Sequence, residues 1–133
     1  MIVVAAGIVQ RDGKIMVCQR KAGKANGLKW EFPGGKLEPG ESPEAALERE
    51  LLEELGIQTR TCRIYDAKHR VESGRELLIL FYFSEILSGE PQPIDCADIA
   101  WVLPSTLPQF DLAPADAEVA RRLSLHPAAA AHR

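Results

Sequence analysis

The segment EFPGGKLEPGESPEAALERELLEELGI, residues 31–57, decides how this chain is interpreted, because it joins a glycine-rich turn to a strongly acidic helix pattern. Eight of its 27 residues are glutamate. Ser42 is a favoured N-cap residue, Pro43 suits the first helical position and Gly56 suits the position just after a helix. The spacing therefore predicts a helix over 43–55.

Three glutamates of this predicted helix share one face. At about 100° per residue, Glu50, Glu53 and Glu54 lie within an arc of about 100°, and the leucines at 51, 52 and 55 form a core-facing stripe on the other side. Like charges at this spacing repel one another. An acidic helix face is usually just solvated. Here no lysine follows at i+4, which favours a bound divalent cation, since such cations prefer hard oxygen ligands.

Nine positions of the segment match the spacing of a known family signature. The signature is glycine, five residues, glutamate, seven residues, then Arg-Glu-aliphatic-any-Glu-Glu-any-Gly-aliphatic. Its positions are occupied here by Gly35, Glu41, Arg49, Glu50, Leu51, Glu53, Glu54, Gly56 and Ile57. The match falls in the loop–helix–turn context that such a motif requires. The chain resembles the Nudix hydrolases over nearly its whole length, and their MutT-like nucleotide pyrophosphohydrolase branch in particular.

The resemblance implies a metal-dependent reaction. In the family the helix glutamates bind divalent ions, so Glu50, Glu53 and Glu54 are the expected ligands, together with the backbone carbonyl of Gly35. Glu50 is also the candidate for orienting or deprotonating the attacking water. The expected catalytic residues are Glu50, Arg49 and Glu53. The expected cofactor is Mg²⁺, with Mn²⁺ as a substitute, because it neutralises and aligns phosphates and lowers the pKa of water.

Two further roles concern charged residues around this face. Arg49 would hold the carboxylates in place through charge-assisted hydrogen bonds, and Glu41 would brace the loop against the helix. Some relatives use a loop glutamate as an additional carboxylate. Either Asp95 or Asp98 is the corresponding candidate here, and the sequence leaves that choice open.

Five residues outside the acidic face are expected to contact the substrate, namely Arg20, Glu31, Lys36, Arg75 and Asp116. The resemblance places Arg20 on the polyphosphate and lets Lys36 assist. The alternative for both is a solvated loop cation. Arg75 would face the base or a phosphate, or else be an ordinary hairpin-turn charge. Glu31 corresponds to a family position near the nucleotide.

Asp116, in the stretch LAPAD, is the residue expected to determine which nucleotide base is bound. Enzymes of this branch that act on oxidised guanine resemble PAN at this point, whereas LAPAD resembles those acting on cytidine triphosphates. An ionised aspartate only accepts hydrogen bonds, so it suits the amino group of cytosine better than the O6 carbonyl of guanine. A protonated Asp116 could donate instead. The alternative role is capping of the C-terminal helix.

The rest of the chain predicts the fold. Apolar runs and turn signals predict a C-terminal helix from Pro114 and strands at 2–9, 15–19, 62–70, 76–86 and 99–103. The order of elements predicts an α/β protein with the Nudix fold, a mixed β-sheet sandwiched between helices. We expect a single domain over 1–126 and a disordered tail over 127–133.

Composition limits the possible partners. With 133 residues, 46% of them hydrophobic, the chain can form one core. Its net charge of −3 argues against a polyanion-binding surface, so no nucleic-acid partner is expected. No stretch is long enough to span a bilayer, so no membrane partner is expected. Three cysteines without CxxC spacing predict reduced, packed thiols in a cytoplasmic protein. The oligomeric expectation is a monomer or homodimer.

These observations lead to an expected reaction. The resemblance implies an Mg²⁺-dependent hydrolase of nucleoside triphosphates, in which water attacks the β-phosphorus and releases a nucleoside monophosphate and pyrophosphate. Its purpose would be cleansing of the nucleotide pool. Cytosine-type nucleotides such as (d)CTP and oxidised nucleotides are the expected substrates, with 8-oxo-dGTP as the competing one. The alternatives are a dinucleotide or ADP-ribose hydrolase and a non-catalytic nucleotide sensor.

Overall fold

The computed structural model describes residues 1–126, which form seven strands, two α-helices and one 3₁₀ helix. The five predicted strands and two predicted helices are present in the predicted order. The strands are β1 Ile2–Arg11, β2 Lys14–Gln19, β3 Trp30–Glu31, β4 Gly34–Lys36, β5 Gln58–Glu72, β6 Arg75–Ser88 and β7 Asp98–Val102. The helices are α1 Pro43–Leu55, the 3₁₀ helix Pro104–Gln109 and α2 Pro114–Leu125. The tail expected at 127–133 lies outside the described residues. No helix within 1–126 is long and apolar enough to cross a bilayer.

The sheet is mixed, as predicted. β1 pairs in parallel with β6, whereas its pairings with β2 and β4 are antiparallel, and β5 pairs antiparallel with β6. Side chains of β6 alternate between two buried clusters. Phe81 and Phe83 pack with residues of α2 and the 3₁₀ helix, and Tyr82 packs with α1. The helices therefore cover both faces of the sheet, which explains why the central part of β6 is almost continuously apolar.

Helix α1 has the predicted limits. The Ser42 hydroxyl accepts a hydrogen bond from the Ala45 N–H at 3.1 Å, and Gly56 ends the helix with a left-handed φ of 71°. The predicted leucine stripe is partly wrong, because Leu52 is 49% exposed. Its position lies at the edge of the stripe, and the fully buried Leu47 occupies the core instead.

Two short strands inside the glycine-rich segment were not predicted. Gly35 of β4 pairs with Ala5 of β1, and a side chain at Gly34 would collide with the Ala5 carbonyl oxygen. Only glycine allows this close approach of the two backbones, and a pattern of apolar residues does not predict a strand of this kind. β5 also begins at Gln58, before the predicted strand at 62–70, because Gln58 pairs with Ser88. The pairing of β4 with β1 brings the glycine-rich segment against the sheet, next to α1.

Candidate active site

A cavity of about 310 Å³ opens where the sheet, the glycine-rich segment and both helices meet. Four cationic and four acidic side chains are among those that line it: Arg20, Lys21, Lys24, Lys36, Glu31, Glu54, Asp95 and Asp116. Pockets of this size hold small ligands. The mixture of charges suits a ligand that carries both phosphate oxygens and hydrogen-bonding groups.

Arg49 connects the glycine-rich loop to the acidic face of α1. Its Nε and Nη2 donate to the two carboxylate oxygens of Glu41 at 2.7 and 3.0 Å, and its Nη1 donates to Glu50 at 2.8 Å. Nη2 also donates to the Lys36 carbonyl at 3.2 Å. The hydrogen bonds from Arg49 lower the pKa of Glu41 to about 2. The contacts predicted for Arg49 and Glu41 are therefore present, and they hold Glu50 in one orientation.

Glu50 and Glu54 lie one turn apart on the acidic face of α1. Burial, and then the neighbouring Glu50, raise the pKa of Glu54 well above its usual range. A side chain at Gly35 would collide with the Glu50 carboxyl group, so glycine leaves room for it beside β4. The carboxylate oxygens of Glu50 and Glu54 form a donor set that fits a hard divalent cation.

Glu53 is placed differently from the other two glutamates. Its side chain is 58% exposed and accepts a hydrogen bond from Arg49 at 3.3 Å. Within residues 1–126, no three His, Cys, Asp or Glu side chains are gathered as a ready-made metal site. The structure thus brings Gly35, Glu50 and Glu54 together and leaves Glu53 at the surface beside them.

Arg20 and Glu31 form an ion pair in the wall of the cavity. Arg20 Nη1 donates to Glu31 at 3.0 Å, and its Nε donates to the Ala25 carbonyl at 2.8 Å. Burial raises the pKa of Glu31, and the charge of Arg20 partly offsets this effect. Lys36 also lines the cavity. Arg75 is exposed at the start of β6 and does not line the cavity, so its placement agrees with the hairpin-turn alternative.

Asp116 lies in the first turn of α2 and faces the cavity. Its side chain is buried, and its Oδ2 accepts a hydrogen bond from the Phe32 backbone N–H at 2.8 Å. The N-cap of α2 is Ala113, so Asp116 does not occupy the capping position. Burial is the main cause that raises the pKa of Asp116 to about 8, which makes the neutral acid the main form in the empty cavity at pH 7.

Several lining residues were missed or left open by sequence reasoning. Asp95 lines the cavity, its backbone N–H donates to the Glu54 carbonyl at 3.2 Å, and its side chain lies 3.4 Å from Lys21. Asp98 instead begins β7 and accepts from the Ile99 N–H. Cys18 and Cys96 also line the cavity. Nothing in the sequence pattern places these two cysteines at one cavity, since 77 residues separate them.

Comparison with known proteins adds family context to this geometry. The family model described as NUDIX domain matches residues 1–123. The chain is 44% identical over 117 residues to a CTP pyrophosphohydrolase of Escherichia coli, covering 87% of this chain and 86% of that protein. It is 36% identical to an 8-oxo-dGTP diphosphatase of Haemophilus influenzae, covering 92% and 91%. The crystal structure of a MutT NUDIX hydrolase from Burkholderia pseudomallei is similar, with TM-score 0.81 and 28% identity, covering 91% and 95%.

Proposed function

Because the chain belongs to the NUDIX domain family, we propose that it is an Mg²⁺-dependent nucleoside triphosphate pyrophosphohydrolase that releases a nucleoside monophosphate and pyrophosphate. The observation that carries the proposal is that one cavity is lined by Glu54 of the acidic pair, by the cations Arg20 and Lys36, and by the buried Asp116. These are the groups needed for metal, phosphate and base. Cleansing of the nucleotide pool in the cytoplasm is the role that such an activity would serve.

Metal binding falls to the acidic pair. Nudix enzymes use divalent metal ions, and Glu50 and Glu54, with Glu53 and the Gly35 carbonyl nearby, would hold Mg²⁺ or Mn²⁺ here. The bound ion would neutralise phosphate charge and lower the pKa of water. A hard cation suits these residues because the neighbouring Glu50 helps to raise the pKa of Glu54, and a bound cation would offset the repulsion between the two carboxylates.

The protein groups have separate tasks in the proposed reaction. Glu50, held by Arg49 at 2.8 Å, would orient the attacking water and accept its proton. Arg20 and Lys36 would bind phosphate oxygens, and Arg20 is held in place by Glu31 and the Ala25 carbonyl. Because these side chains are ordered before the substrate binds, less conformational entropy is lost when the substrate is positioned.

Asp116 is proposed to contact the base, but not simply as an acceptor. The acceptor-only argument requires an ionised side chain, whereas burial raises the pKa of Asp116 to about 8. At pH 7 the neutral acid presents both a donor and an acceptor, as asparagine does. Because Oδ2 accepts from the Phe32 N–H, its Oδ1 hydroxyl is the group that can accept from the amino group of cytosine or donate to O6 of guanine. Only the ionised form discriminates strongly against O6.

Cytosine-type triphosphates remain the proposed substrates, because the relative at 44% identity is a CTP pyrophosphohydrolase. Since the relative at 36% identity is an 8-oxo-dGTP diphosphatase, 8-oxo-dGTP is the second candidate. The non-catalytic sensor is disfavoured because every carboxylate of the signature is present.

A triphosphate panel tests the proposal. CTP, dCTP, 5-hydroxy-dCTP, 8-oxo-dGTP and the normal purine nucleotides would be incubated with enzyme and Mg²⁺ or Mn²⁺, with products identified by chromatography. We expect monophosphate and pyrophosphate, with the highest kcat/KM for a cytosine nucleotide. Nucleotide binding without any hydrolysis would support the sensor instead, and cleavage confined to ADP-ribose or dinucleotides would move the protein to another substrate class.

A further inference from the structure

The cavity runs between the two buried clusters of the fold. Asp116 of α2 faces it at one end, and Glu54 of α1 lines it at the other. Other lining residues divide in the same way between the cluster beside α2, with Ala6, Phe32 and Ile79, and the cluster beside α1, with Cys18, Leu55 and Cys96. Since the proposed function places the base at Asp116 and the metal at Glu54, the phosphate chain of a bound nucleotide runs toward α1.

An ion pair lies at the α1 end of the cavity. Lys21 follows Arg20 in the loop over residues 20–29, and its Nζ lies 3.4 Å from Oδ1 of Asp95. The Asp95 backbone N–H donates to the Glu54 carbonyl at 3.2 Å, and both members of the ion pair line the cavity. The Lys21 ammonium group is therefore placed at the same end of the cavity as Glu54.

Hydrogen bonds fix the backbone beside Lys21, but its side chain is free to move. The Arg20 N–H donates to the Lys29 carbonyl at 2.9 Å, and the Leu28 N–H donates to the Arg20 carbonyl at 3.0 Å, which closes the base of the loop. The side chains of Lys21 and Asp95 are 47% and 52% exposed. Because water screens an exposed ion pair, this contact contributes little to stability, and the flexible lysine side chain can exchange one anion for another.

We propose that Lys21 is a further substrate-binding residue, which leaves Asp95 to bind the terminal phosphate of a nucleoside triphosphate. This inference rests on the proposed function and names the residue that recognises the length of the phosphate chain. The charged oxygens of a terminal phosphate form charge-assisted hydrogen bonds with a lysine ammonium group. A nucleoside diphosphate whose base lies at Asp116 lacks this third phosphate, so Lys21 stabilises binding of the triphosphate alone.

Lys29 provides a matched control on the same loop. Its Nζ lies 2.9 Å from Oδ1 of Asp111, and this ion pair is exposed as well. Lys29 is not among the residues that line the cavity, whereas Lys21 is. Lys29→Gln and Lys21→Gln each remove one positive charge and one exposed ion pair. A difference between the two variants therefore reports on the position of the charge in the cavity.

Calorimetric titration of the full chain in the presence of Mg²⁺ tests the proposal. The ligands are α,β-methylene-CTP and α,β-methylene-CDP, because their methylene bridge replaces the bond that the proposed reaction breaks. We expect Lys21→Gln to raise Kd for the triphosphate analogue about tenfold and to leave Kd for the diphosphate analogue nearly unchanged. Lys29→Gln should leave both constants unchanged, and an unchanged Tm in both variants shows that they fold.

Lysine footprinting gives a second readout that depends neither on the base nor on a variant. The unsubstituted protein would be acetylated briefly with N-hydroxysuccinimidyl acetate, with and without inorganic tripolyphosphate and Mg²⁺, and its peptides measured by mass spectrometry. We expect tripolyphosphate to cause a loss of acetylation at Lys21 and none at Lys29.

Three results would overturn the inference. They are an equal rise in Kd for both analogues in Lys21→Gln, an unchanged Kd for the triphosphate analogue, and acetylation of Lys21 that tripolyphosphate does not reduce. Hydrolysis of triphosphates by Lys21→Gln with an unchanged KM would reject the role of Lys21 and leave the proposed function intact. Binding that depends on Lys21, in a chain that hydrolyses no nucleotide, would support the role of Lys21 and reject the proposed reaction.

Discussion

The Phe32 backbone N–H donates a 2.8 Å hydrogen bond to Oδ2 of Asp116, which lies 84 residues further along the chain. The bond ties the first turn of α2 to the segment that leads into Gly34 and Gly35. It leaves Oδ1 of a buried carboxyl group available to the cavity. Because burial raises the pKa of Asp116 to about 8, the donor and acceptor pattern of this carboxyl group changes near pH 8.

The first prediction is that base selectivity depends on pH. Above pH 8 Asp116 ionises and can no longer donate to guanine O6, whereas the cytosine amino group still finds an acceptor. The ratio of kcat/KM for dCTP to that for 8-oxo-dGTP should therefore rise between about pH 7 and 9, by up to about ten- to a hundredfold. Ionisations that affect both substrates equally cancel in this ratio.

Asp116→Asn is the matched control for that measurement. Its amide does not titrate, so the ratio should stay flat over the same range. An equal rise in the variant would assign the pH effect to another group, and a flat ratio in the original protein would show that Asp116 does not read the base.

The second prediction concerns stability against pH. Between its ordinary value of 3.8 and its folded value of about 8, Asp116 is protonated in the folded state and ionised in the unfolded one. The proton held by Asp116 in the folded state therefore contributes fully to the free energy of unfolding below about pH 4. This contribution is lost as pH rises toward 8, at up to about 1.4 kcal/mol per pH unit. The urea midpoint of Asp116→Asn should exceed that of the unsubstituted protein by a margin that grows from about pH 5 to about pH 8. A constant margin would contradict a buried neutral acid.

The third prediction tests the acidic face of α1. Glu54→Gln and Glu53→Gln should each lower kcat by about a hundredfold or more, because each removes an expected metal ligand. Without metal, Tm should hold or rise, since a repulsive carboxylate is gone and the amide introduced by Glu54→Gln can donate to Glu50. Glu44→Gln, at an exposed position of the same helix, is the control. Near-normal kcat in both variants would show that the face is only solvated.

The fourth prediction concerns Arg49 as the residue that positions Glu50. Arg49→Lys keeps the charge but cannot make the paired hydrogen bonds to Glu41 while also reaching Glu50. We expect kcat to fall about ten- to a hundredfold with a smaller change in KM. Arg11→Lys is the control, since Arg11 makes a similar paired contact with the exposed Glu90. Equal effects at both positions would argue for a general loss of stability.

The fifth prediction fixes the site of attack. Hydrolysis in ¹⁸O-labelled water should place the label in pyrophosphate, because the expected nucleophile attacks the β-phosphorus. Mass spectrometry of both products measures this directly. Label in the nucleoside monophosphate would mean attack at the α-phosphorus and a different alignment of the phosphates along Arg20 and Lys36.

Local features of the sequence were enough to predict α1 and the residue types around it. The Ser42 cap, Pro43 and the left-handed Gly56 determine where the helix begins and ends, and these effects act within a few residues. The spacing of Glu50 and Glu54 places them one turn apart in any α-helix. The mixed sheet followed from the order of elements. The short strand at Gly34–Lys36 did not, because it depends on close approach to β1.

Tertiary structure alone decided which groups act together. Burial makes Asp116 a neutral acid, and Arg49 holds Glu50 while Glu53 stays exposed. Arg75 lies outside the cavity because the hairpin carries it to an exposed turn. The sequence by itself determined which chemical groups are available and where α1 runs. Their protonation and partners depend on burial and on contacts between residues far apart in the chain, which only packing creates.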